Sequence, residues 1–348
     1  MTSPSLDPGT VLITGPTGGL GRALTLNLAS RPQAARPDLL LVGRPGDRLT
    51  AITDAARAVA ATAAARAAGP ADAAAATGPA VGPATGPAAT TGTTVHAVPC
   101  DFANLADVRS AAATAKDLLT SGALRPLRAL IANVGVTMAD TRKASADGYE
   151  MTFAVNYLAH AQLIGDLLDK FATPARIVLL GSNVYRGTAG LRMMGVPGPA
   201  WRDPLDLAKP ASGPKNPGFR AAGVAYATSK LAILYYAHEL QRRIGQDIAV
   251  SVFEPGFMPG TGLGRDHAPL LRALARAAQH LPGTASPTRS APALASVALD
   301  DRWATLRDGA FVLIDKETEV LPHAHNRDRE LRLWEATREL LDRATPTG

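Results

Sequence analysis

Residues 14 to 21 read Thr-Gly-Pro-Thr-Gly-Gly-Leu-Gly and directly follow the apolar run Val-Leu-Ile at residues 11 to 13. Apolar residues then recur at helical spacing from Leu20 to Leu28, so the local order is strand, glycine-rich turn and helix. Glycine is needed in such a turn because a Cβ would obstruct the approach of a phosphate to the backbone N–H groups. The stretch therefore predicts a turn that binds the pyrophosphate of a dinucleotide at the N-terminus of a helix.

The rest of the chain repeats this alternation of strand and helix. Helical segments separate six further apolar runs that predict strands at residues 39–42, 95–98, 127–132, 176–180, 248–253 and 310–314. Parallel neighbours need crossover connections, and helices supply them. We predict an α/β fold, a doubly wound (Rossmann) seven-stranded parallel sheet with helices on both faces, whose ligand binds beyond the carboxyl ends of the strands.

The domain organisation follows from where this alternation is interrupted. We expect a single domain over residues 1–348, because the series contains no strong mid-chain linker. Residues 67–94 consist mainly of Ala, Gly, Pro and Thr with almost no large apolar side chain, which predicts a flexible surface insertion. Residues 183–222 are rich in Gly and Pro and too long for a simple connection, which favours a substrate-side loop.

Composition excludes several classes of protein. The formal net charge is +6, but the basic residues are scattered among acids, which disfavours a nucleic-acid partner. Cys100 is the only cysteine, so an intramolecular disulfide and a multi-cysteine metal site are excluded. The N-terminus does not resemble a signal peptide and no apolar stretch is long enough to cross a bilayer, so we expect a soluble, cytoplasmic protein without a transmembrane segment.

Tyr226 and Lys230 lie four residues apart in a segment of helical periodicity, which places the phenol and the ammonium on one face of a helix. A nearby cation stabilises a phenolate, so this pair is suited to exchanging a proton. The same spacing is common on helix surfaces by chance, and the pair alone favours that simpler interpretation.

Taken together, these segments resemble the short-chain dehydrogenase/reductase family in its single-domain form, over nearly the whole chain outside the insertion. The glycine pattern of that family matches Thr14, Gly15, Gly19 and Gly21. Its Asn-Ala-Gly segment is similar to Asn133-Val134-Gly135, where Val134 replaces the usual Ala. Its four catalytic residues match, in chain order, Asn156, Ser182, Tyr226 and Lys230.

The resemblance implies an oxidoreductase that transfers hydride between a nicotinamide and a carbonyl or hydroxyl carbon. Ser182 would orient the substrate oxygen, and Tyr226 would donate the proton. Lys230 would hold the nicotinamide ribose and lower the pKa of Tyr226. Asn156 would hold a water molecule that links Lys230 to solvent.

The end of the second strand indicates which nicotinamide cofactor is used. Gly43-Arg44 stands where NAD-specific members carry an acid, and a guanidinium suits a 2′-phosphate, which favours NADP(H). Arg48 is a second candidate for this contact. Thr261 comes one position later than the family's Thr after Pro-Gly, which leaves the contact to the carboxamide open. The residues that the resemblance assigns to the cofactor are Thr14, Gly15, Thr17, Gly19, Leu20, Gly21, Arg44, Asp101, Phe102, Asn133, Gly135, Tyr226, Lys230, Pro255, Gly256 and Thr261.

Loop segments indicate which branch of the family this chain resembles. Residues 261–267, the long gap from Ser182 to Tyr226 and residues 333–335 are similar to the retinol dehydrogenase and protochlorophyllide reductase branch, which implies a lipophilic carbonyl or alcohol substrate. Two alternatives stay open: a light-dependent reductase of a tetrapyrrole double bond, and a regulatory protein that binds NADP(H) without turnover. His160 is interpreted as a packed helix residue and His267 as a loop residue, so no metal site is expected. A homo-oligomer is compatible with the resemblance but not required by it.

Overall fold

The computed structural model describes residues 8–72, 93–193, 196–258 and 284–344. Within these ranges the strands are β1 Thr10–Thr14, β2 Asp38–Gly43, β3 Val95–Pro99, β4 Leu127–Ala132, β5 Phe171–Leu180, β6 Ile248–Glu254, β7 Ala310–Leu313 and β8 Lys316–Thr318. They form one sheet in the order β3-β2-β1-β4-β5-β6-β7-β8. Neighbours from β3 to β7 pair in parallel, and β8 pairs antiparallel with β7.

The predicted fold class is confirmed, but the sheet has one more strand than the seven expected. The additional strand is β8, which returns beside β7 after a tight turn in which Ile314 has a positive φ of 56°. Its Lys316 and Glu317 are exposed, so it lacks the buried apolar run that identified the other strands. A short, charged edge strand also protects the sheet from pairing with another chain.

Helices cover both faces of the sheet. One layer contains α1 Gly19–Ala29, α2 Asp47–Asp72 and α9 Pro287–Leu299, and the other contains α3 Leu105–Thr120, α5 Ala159–Leu167, α8 Gly218–Ile244 and α10 Arg327–Arg343. Shorter helices are α4 Met151–Phe153, α6 Ala189–Met193 and α7 Pro204–Leu207. Each layer packs on its own apolar cluster, which is the two-sided burial that parallel sheets require.

The predicted insertion falls partly outside the described residues. Helix α2 continues to Asp72, into the stretch from residue 67 that the sequence predicted as an insertion, and residues 73–92 lie outside the description. Strand β3 then resumes beside β2, starting with the pair Leu39 and Val95. None of the helices in the described part of the chain combines the length and apolar character that crossing a bilayer requires.

The order of the strands determines where a ligand can bind. β2 and β3 lie on one side of β1, and β4 to β8 lie on the other side. The connections that follow β1 and β4 therefore lead towards opposite edges of the sheet. Connections on the two sides diverge and leave a crevice at the carboxyl ends of β1 and β4. The glycine turn after β1, the segment after β4 and the ends of β5 and β6 all lie along this edge.

Candidate functional site

The glycine turn between β1 and α1 combines one tightly packed glycine with one open glycine. A Cβ built on Gly21 would lie 2.1 Å from the carbonyl oxygen of Gly15, so Gly21 is required for the packing of the turn itself. A Cβ on Gly18 would meet nothing within 4 Å. Gly18 is also the N-cap of α1, and no side chain caps that helix end. The turn therefore presents open space above backbone N–H groups, as a phosphate site needs.

Thr14 and Asn133 lie behind this turn and hold it in place. The Thr14 hydroxyl accepts hydrogen bonds from the backbone N–H groups of Asn133 and Val134 at 2.8 and 3.0 Å. The Asn133 side-chain amide donates to the carbonyl oxygens of Thr14 and Gly15 at 2.9 and 3.1 Å. Both residues were predicted to bind the cofactor, and the contacts that they make here tie the end of β1 to the end of β4.

The predicted contacts to the adenosine half of the cofactor lie at the ends of β2 and β3. Arg44 and Arg48 are both exposed at the start of the loop and helix that follow β2. Asp101 accepts a hydrogen bond from the backbone N–H of Ala103 at 3.2 Å and is partly buried. Phe102 is buried, with its ring 5.3 Å from that of His160, so its side chain belongs to the core.

Tyr226 and Ser182 meet at the carboxyl edge of β5. The first turns of α8 place Tyr226 beside the strand end, where the Ser182 hydroxyl lies close enough to lower the pKa of the phenol. Burial and the negative charge of Glu254 raise the pKa of Tyr226 above its ordinary value, and the nearby Ser182 hydroxyl only partly opposes them. The phenol therefore carries its proton at neutral pH.

Lys230 lies one helical turn after Tyr226, with its ammonium 5.6 Å from the centre of the Tyr226 ring. The side chain is 3% exposed and donates a hydrogen bond of 2.7 Å to the carbonyl oxygen of Leu180, near the end of β5. Burial lowers the pKa of Lys230 to about 8, although Glu254 acts in the opposite direction. The structure thus brings three of the four predicted catalytic residues together.

Asn156, the fourth, is fully buried in a π-helical segment, Ala154–Leu158, between α4 and α5. Its side chain makes two hydrogen bonds with the backbone of Val136, accepting from N–H at 2.7 Å and donating to the carbonyl at 3.0 Å. It also donates to the hydroxyl of Ser229 at 3.0 Å. Asn156 therefore joins the segment after β4 to the helix that carries Tyr226 and Lys230, and such π-segments often occur at functional sites.

Glu254 is a residue of this site that the sequence reasoning missed. It is the last residue of β6 and 4% exposed, and its carboxylate accepts hydrogen bonds from the backbone N–H groups of Asn183 and Gly256. Burial raises its pKa, while those hydrogen bonds and the charges of Lys230 and Arg186 oppose the rise. The available signal was an acid at the end of an otherwise apolar strand, directly before Pro255-Gly256.

The Pro255-Gly256 turn lies beside Glu254 at the same edge. Gly256 has a φ of 85°, and a Cβ there would lie 2.8 Å from the Cβ of Ala285, so this position requires glycine. The hydroxyl of Ser290 donates to the carbonyl oxygen of Pro255 at 2.7 Å and fixes the turn to α9. Thr261 and His267, which the sequence analysis named, lie outside the described residues.

The predicted substrate-side loop is anchored near its middle. Within residues 183–222, Trp201 packs edge-to-face on Tyr235 of α8 at 4.7 Å, and Asp203 forms an ion pair of 2.7 Å with Arg332 of α10. Another part of the loop carries Met193, which is 88% exposed. Residues 194–195 lie outside the described residues.

A group of His238, His325 and Glu330 lies away from this edge, between α8 and the segment that leads into α10. Their ligand atoms lie within 4.8 Å of one another, and His238 is hydrogen-bonded to Glu330 at 2.9 Å. The two imidazole rings stack almost in parallel, at an angle of 11° and 4.6 Å apart. An ion bound to both rings would have to lie near both ring planes, so this arrangement is not a preformed metal site.

The comparisons with known proteins give several relatives. The chain is 32% identical over 280 residues to a Streptomyces sp. (strain C5) protein, DnrU, whose name assigns it provisionally as a daunorubicin C-13 ketoreductase, covering 78% of this chain and 76% of the relative. It is 29% identical over 251 residues to protochlorophyllide reductase A, chloroplastic, of Oryza sativa subsp. japonica, covering 62% of this chain. It is 35% identical over 173 residues to retinol dehydrogenase 14 of Mus musculus, covering 48% of this chain. No model of a protein family matches.

These matches are partial for two of the relatives. The chain spans 60% of the length of the protochlorophyllide reductase and 45% of that of the retinol dehydrogenase. Among solved structures, a short chain dehydrogenase from Burkholderia cenocepacia J2315 in complex with NADP has a TM-score of 0.55 at 19% identity, covering 89% of this chain and 97% of that chain. This likeness concerns the fold.

Proposed function

This chain belongs to the short-chain dehydrogenase/reductase family, in the branch of the retinol dehydrogenases and protochlorophyllide reductases. From that premise we propose that it is an NADPH-dependent oxidoreductase acting on a carbonyl or hydroxyl carbon of a lipophilic substrate. The observation that carries the proposal is the buried ammonium of Lys230 beside the ring of Tyr226, held by the carbonyl oxygen of Leu180 two residues before Ser182. A surface pair of Tyr and Lys would make none of these contacts.

In the proposed reduction, Tyr226 is the proton donor. The phenol is protonated at neutral pH, and the Ser182 hydroxyl beside it is placed to bond the same substrate oxygen. The nicotinamide, when bound, supplies the hydride that the carbonyl carbon accepts. As the carbonyl π bond breaks, its oxygen takes the proton of Tyr226, and the ammonium of Lys230 stabilises the phenolate that remains. Asn156 acts through Ser229 and Val136, by fixing the helix that carries Tyr226 and Lys230.

The residues present fit a dinucleotide phosphate. The open space at Gly18 and the uncapped start of α1 suit a pyrophosphate, and the exposed Arg44 after β2 suits the 2′-phosphate of NADP(H). A protein of similar fold is described with NADP bound, which is consistent with this choice. Gly15, Thr17, Gly19, Leu20 and Gly21 supply the turn in this proposal. Asp101, Gly135, Pro255 and Gly256 line the same edge, and Phe102 takes part through its backbone only, because its side chain is buried in the core.

Exposed apolar side chains support a lipophilic substrate. Met193, Phe219 and Phe257 are the most exposed large apolar side chains of the described residues. They lie on the loop after β5, at the start of α8 and after the Pro255-Gly256 turn. The names of the relatives refer to retinol, protochlorophyllide and daunorubicin. We therefore assign residues 183–222 as the substrate-side loop of a single domain.

The test is a pair of tyrosine variants in α8. With NADPH and a panel of aldehydes, ketones and quinones, Tyr226→Phe should lower kcat by about 10²- to 10⁴-fold, because the proton donor is lost. Its Kd for NADPH should stay within about three-fold, since no large contact is removed. Tyr235→Phe is the matched control: its hydroxyl bonds the carbonyl oxygen of His323 at 2.6 Å, so kcat should be nearly unchanged.

Two results would contradict the proposal. If Tyr226→Phe turns over like the wild-type protein, Tyr226 is not the proton donor. If the wild-type protein binds NADPH but reduces no member of the panel, a regulatory NADP(H)-binding role gains support. The similarity to protochlorophyllide reductase favours one other reaction, the light-dependent reduction of a tetrapyrrole double bond, and the absorbance of a bound pigment under illumination tests it.

A further inference from the structure

Glu254 has no role in the reaction as described so far, yet its carboxylate is buried at the centre of the site. One carboxylate oxygen accepts a hydrogen bond from the backbone N–H of Asn183, the residue after Ser182. The other accepts from the backbone N–H of Gly256 at 2.9 Å, in the Pro255-Gly256 turn. A single side chain thus connects the turn that carries Ser182 to the neighbouring turn at the end of β6. Bonds from amides to a charged acceptor are stronger than neutral ones.

Lys230 presents the complementary problem of a buried cation. Its ammonium is 3% exposed, and the hydrogen bond that it makes goes to a neutral carbonyl, that of Leu180. A buried ammonium is costly unless an opposite charge lies nearby, and it otherwise loses its proton. Leu180, whose carbonyl oxygen holds the ammonium, pairs across the sheet with Phe253, and the next residue on that strand is Glu254. Glu254 is the carboxylate that acts on Lys230 from there.

The other charged groups around Glu254 are accounted for by their own contacts. Two cations act on Glu254, Lys230 from α8 and Arg186 from the turn after β5. Arg186 is already engaged, because it donates to the side-chain oxygen of Asn183 at 2.9 Å and to the carbonyl oxygen of Glu319 at 3.0 Å. The phenol of Tyr226 also faces Glu254, and so does that of Tyr185, but neither is charged at neutral pH.

We propose that Glu254 is a positioning residue of this site with two separable tasks. Its charge keeps Lys230 protonated, and its two oxygens hold the Ser182 turn against the Pro255-Gly256 turn. This inference rests on the proposed function for its consequence in catalysis, but the charge coupling itself is a property of the folded protein without substrate.

The first experiment measures the titration of Lys230 directly. Lysine is labelled with ¹³C, the Lys230 signal is assigned with Lys230→Arg, and its midpoint is compared in wild type, Glu254→Gln and Glu254→Asp. Glu254→Gln should lower the midpoint by about one pH unit, because the opposite charge is lost. Glu254→Asp keeps the charge and should leave the midpoint within about 0.3 unit of wild type. Glu317→Gln, which neutralises an exposed acid on β8, is the matched control and should shift nothing.

The second experiment separates the two tasks in the pH profile of reduction. In Glu254→Gln, the fall of kcat on the alkaline side should move to lower pH together with the Lys230 midpoint. In Glu254→Asp the profile should keep its position, while kcat decreases at every pH, since the shorter side chain cannot reach both amides. A merely structural role would lower kcat in both variants without moving either profile.

Each outcome decides the inference. An unchanged Lys230 midpoint in Glu254→Gln overturns the proposal that Glu254 keeps Lys230 protonated. This titration needs no substrate, so its result is independent of whether the proposed oxidoreductase activity is found. If Glu254→Gln does not fold, Glu254→Gln with Lys230→Met is expressed instead. That double variant should fold, because the unpaired buried ammonium is gone. If it also fails to fold, the coupling between these two residues is refuted.

Discussion

Gly18 and Gly21 lie three residues apart in the same turn, and the structure predicts opposite consequences when each is replaced by alanine. A Cβ on Gly21 would lie 2.1 Å from the carbonyl oxygen of Gly15 and 2.6 Å from the side-chain nitrogen of Asn133. A Cβ on Gly18 would meet no protein atom within 4 Å, and the φ of Gly18, −162°, suits any residue. Gly21→Ala should therefore damage the fold, and Gly18→Ala should damage ligand binding.

The magnitudes follow from these contacts. A methyl group that approaches a backbone oxygen at 2.1 Å forces the backbone to move, and such overpacking costs about 1–3 kcal/mol. In a chain of this size that corresponds to a decrease in Tm of roughly 1–4 °C. Alanine for glycine at the N-cap changes stability by less than about 1 kcal/mol. A methyl group in the space above the free N–H groups should raise the Kd for NADPH at least about ten-fold, or about 1.4 kcal/mol.

The assay compares thermal unfolding without ligand and NADPH binding by fluorescence titration. Gly165→Ala is the control, because Gly165 lies inside α5 with nothing within 4 Å of its built Cβ, so this variant should be unchanged or slightly stabilised. If Gly18→Ala folds normally and binds NADPH as tightly as wild type, the turn is not the phosphate site. A Gly21→Ala variant with unchanged Tm would refute the packing argument.

Two further predictions concern cofactor choice and acid stability. Arg44→Ala should raise the Kd for NADPH by about ten-fold or more and leave the Kd for NADH nearly unchanged, because one charge-assisted contact to the 2′-phosphate is lost. The control is Arg66→Ala, which removes another exposed arginine. An equal loss of affinity for both cofactors, or an equal effect of Arg66→Ala, would contradict the prediction. Burial lowers the pKa of His160 to about 4, so the folded protein binds fewer protons than the unfolded chain between pH 6.5 and pH 4. The contribution of neutral His160 to the free energy of unfolding is complete above pH 6.5. It is lost as the pH falls from 6.5 to 4, by about 3 kcal/mol in total. His160→Gln should flatten this part of the pH dependence of urea unfolding, and parallel curves would show that another group causes it.

The strands were predictable where burial requires an apolar run. All residues of β1, β2 and β6 are buried, and the sequence shows each as a continuous or nearly continuous apolar stretch. Boundaries were less accurate where polar residues continue an element. β5 begins at Phe171, before the apolar run at residues 176–180 that identified it. The helical segment ahead of β5 starts at Met151 and is interrupted by a π-segment. The sequence shows side-chain periodicity, and these features depend on backbone contacts with neighbouring elements.

The site was predictable as a set of residues but not as a network. The spacing of Tyr226 and Lys230 on one helix and the position of Ser182 at a strand end follow from local structure. The partners of Asn156 and Glu254 do not, because those side chains bond backbone groups of Val136, Asn183 and Gly256 from other segments. No residue type marks a backbone N–H as a partner. The sequence therefore predicts that a polar side chain is buried at the site more easily than it predicts which group that side chain bonds.

His160 shows how the two halves of the site are joined. Its Nε2 lies 3.0 Å from the hydroxyl of Thr14, which in turn holds the backbone after β4, and its Nδ1 lies 3.3 Å from the carbonyl oxygen of Asn156. The glycine turn and the helix that orients Asn156 are thus attached to one imidazole that is 3% exposed. A ring with both nitrogens engaged needs one tautomer to donate and accept at once, and protonation would remove the acceptor. The low pKa of His160 keeps the ring neutral, so the cofactor side and the catalytic side stay connected at neutral pH.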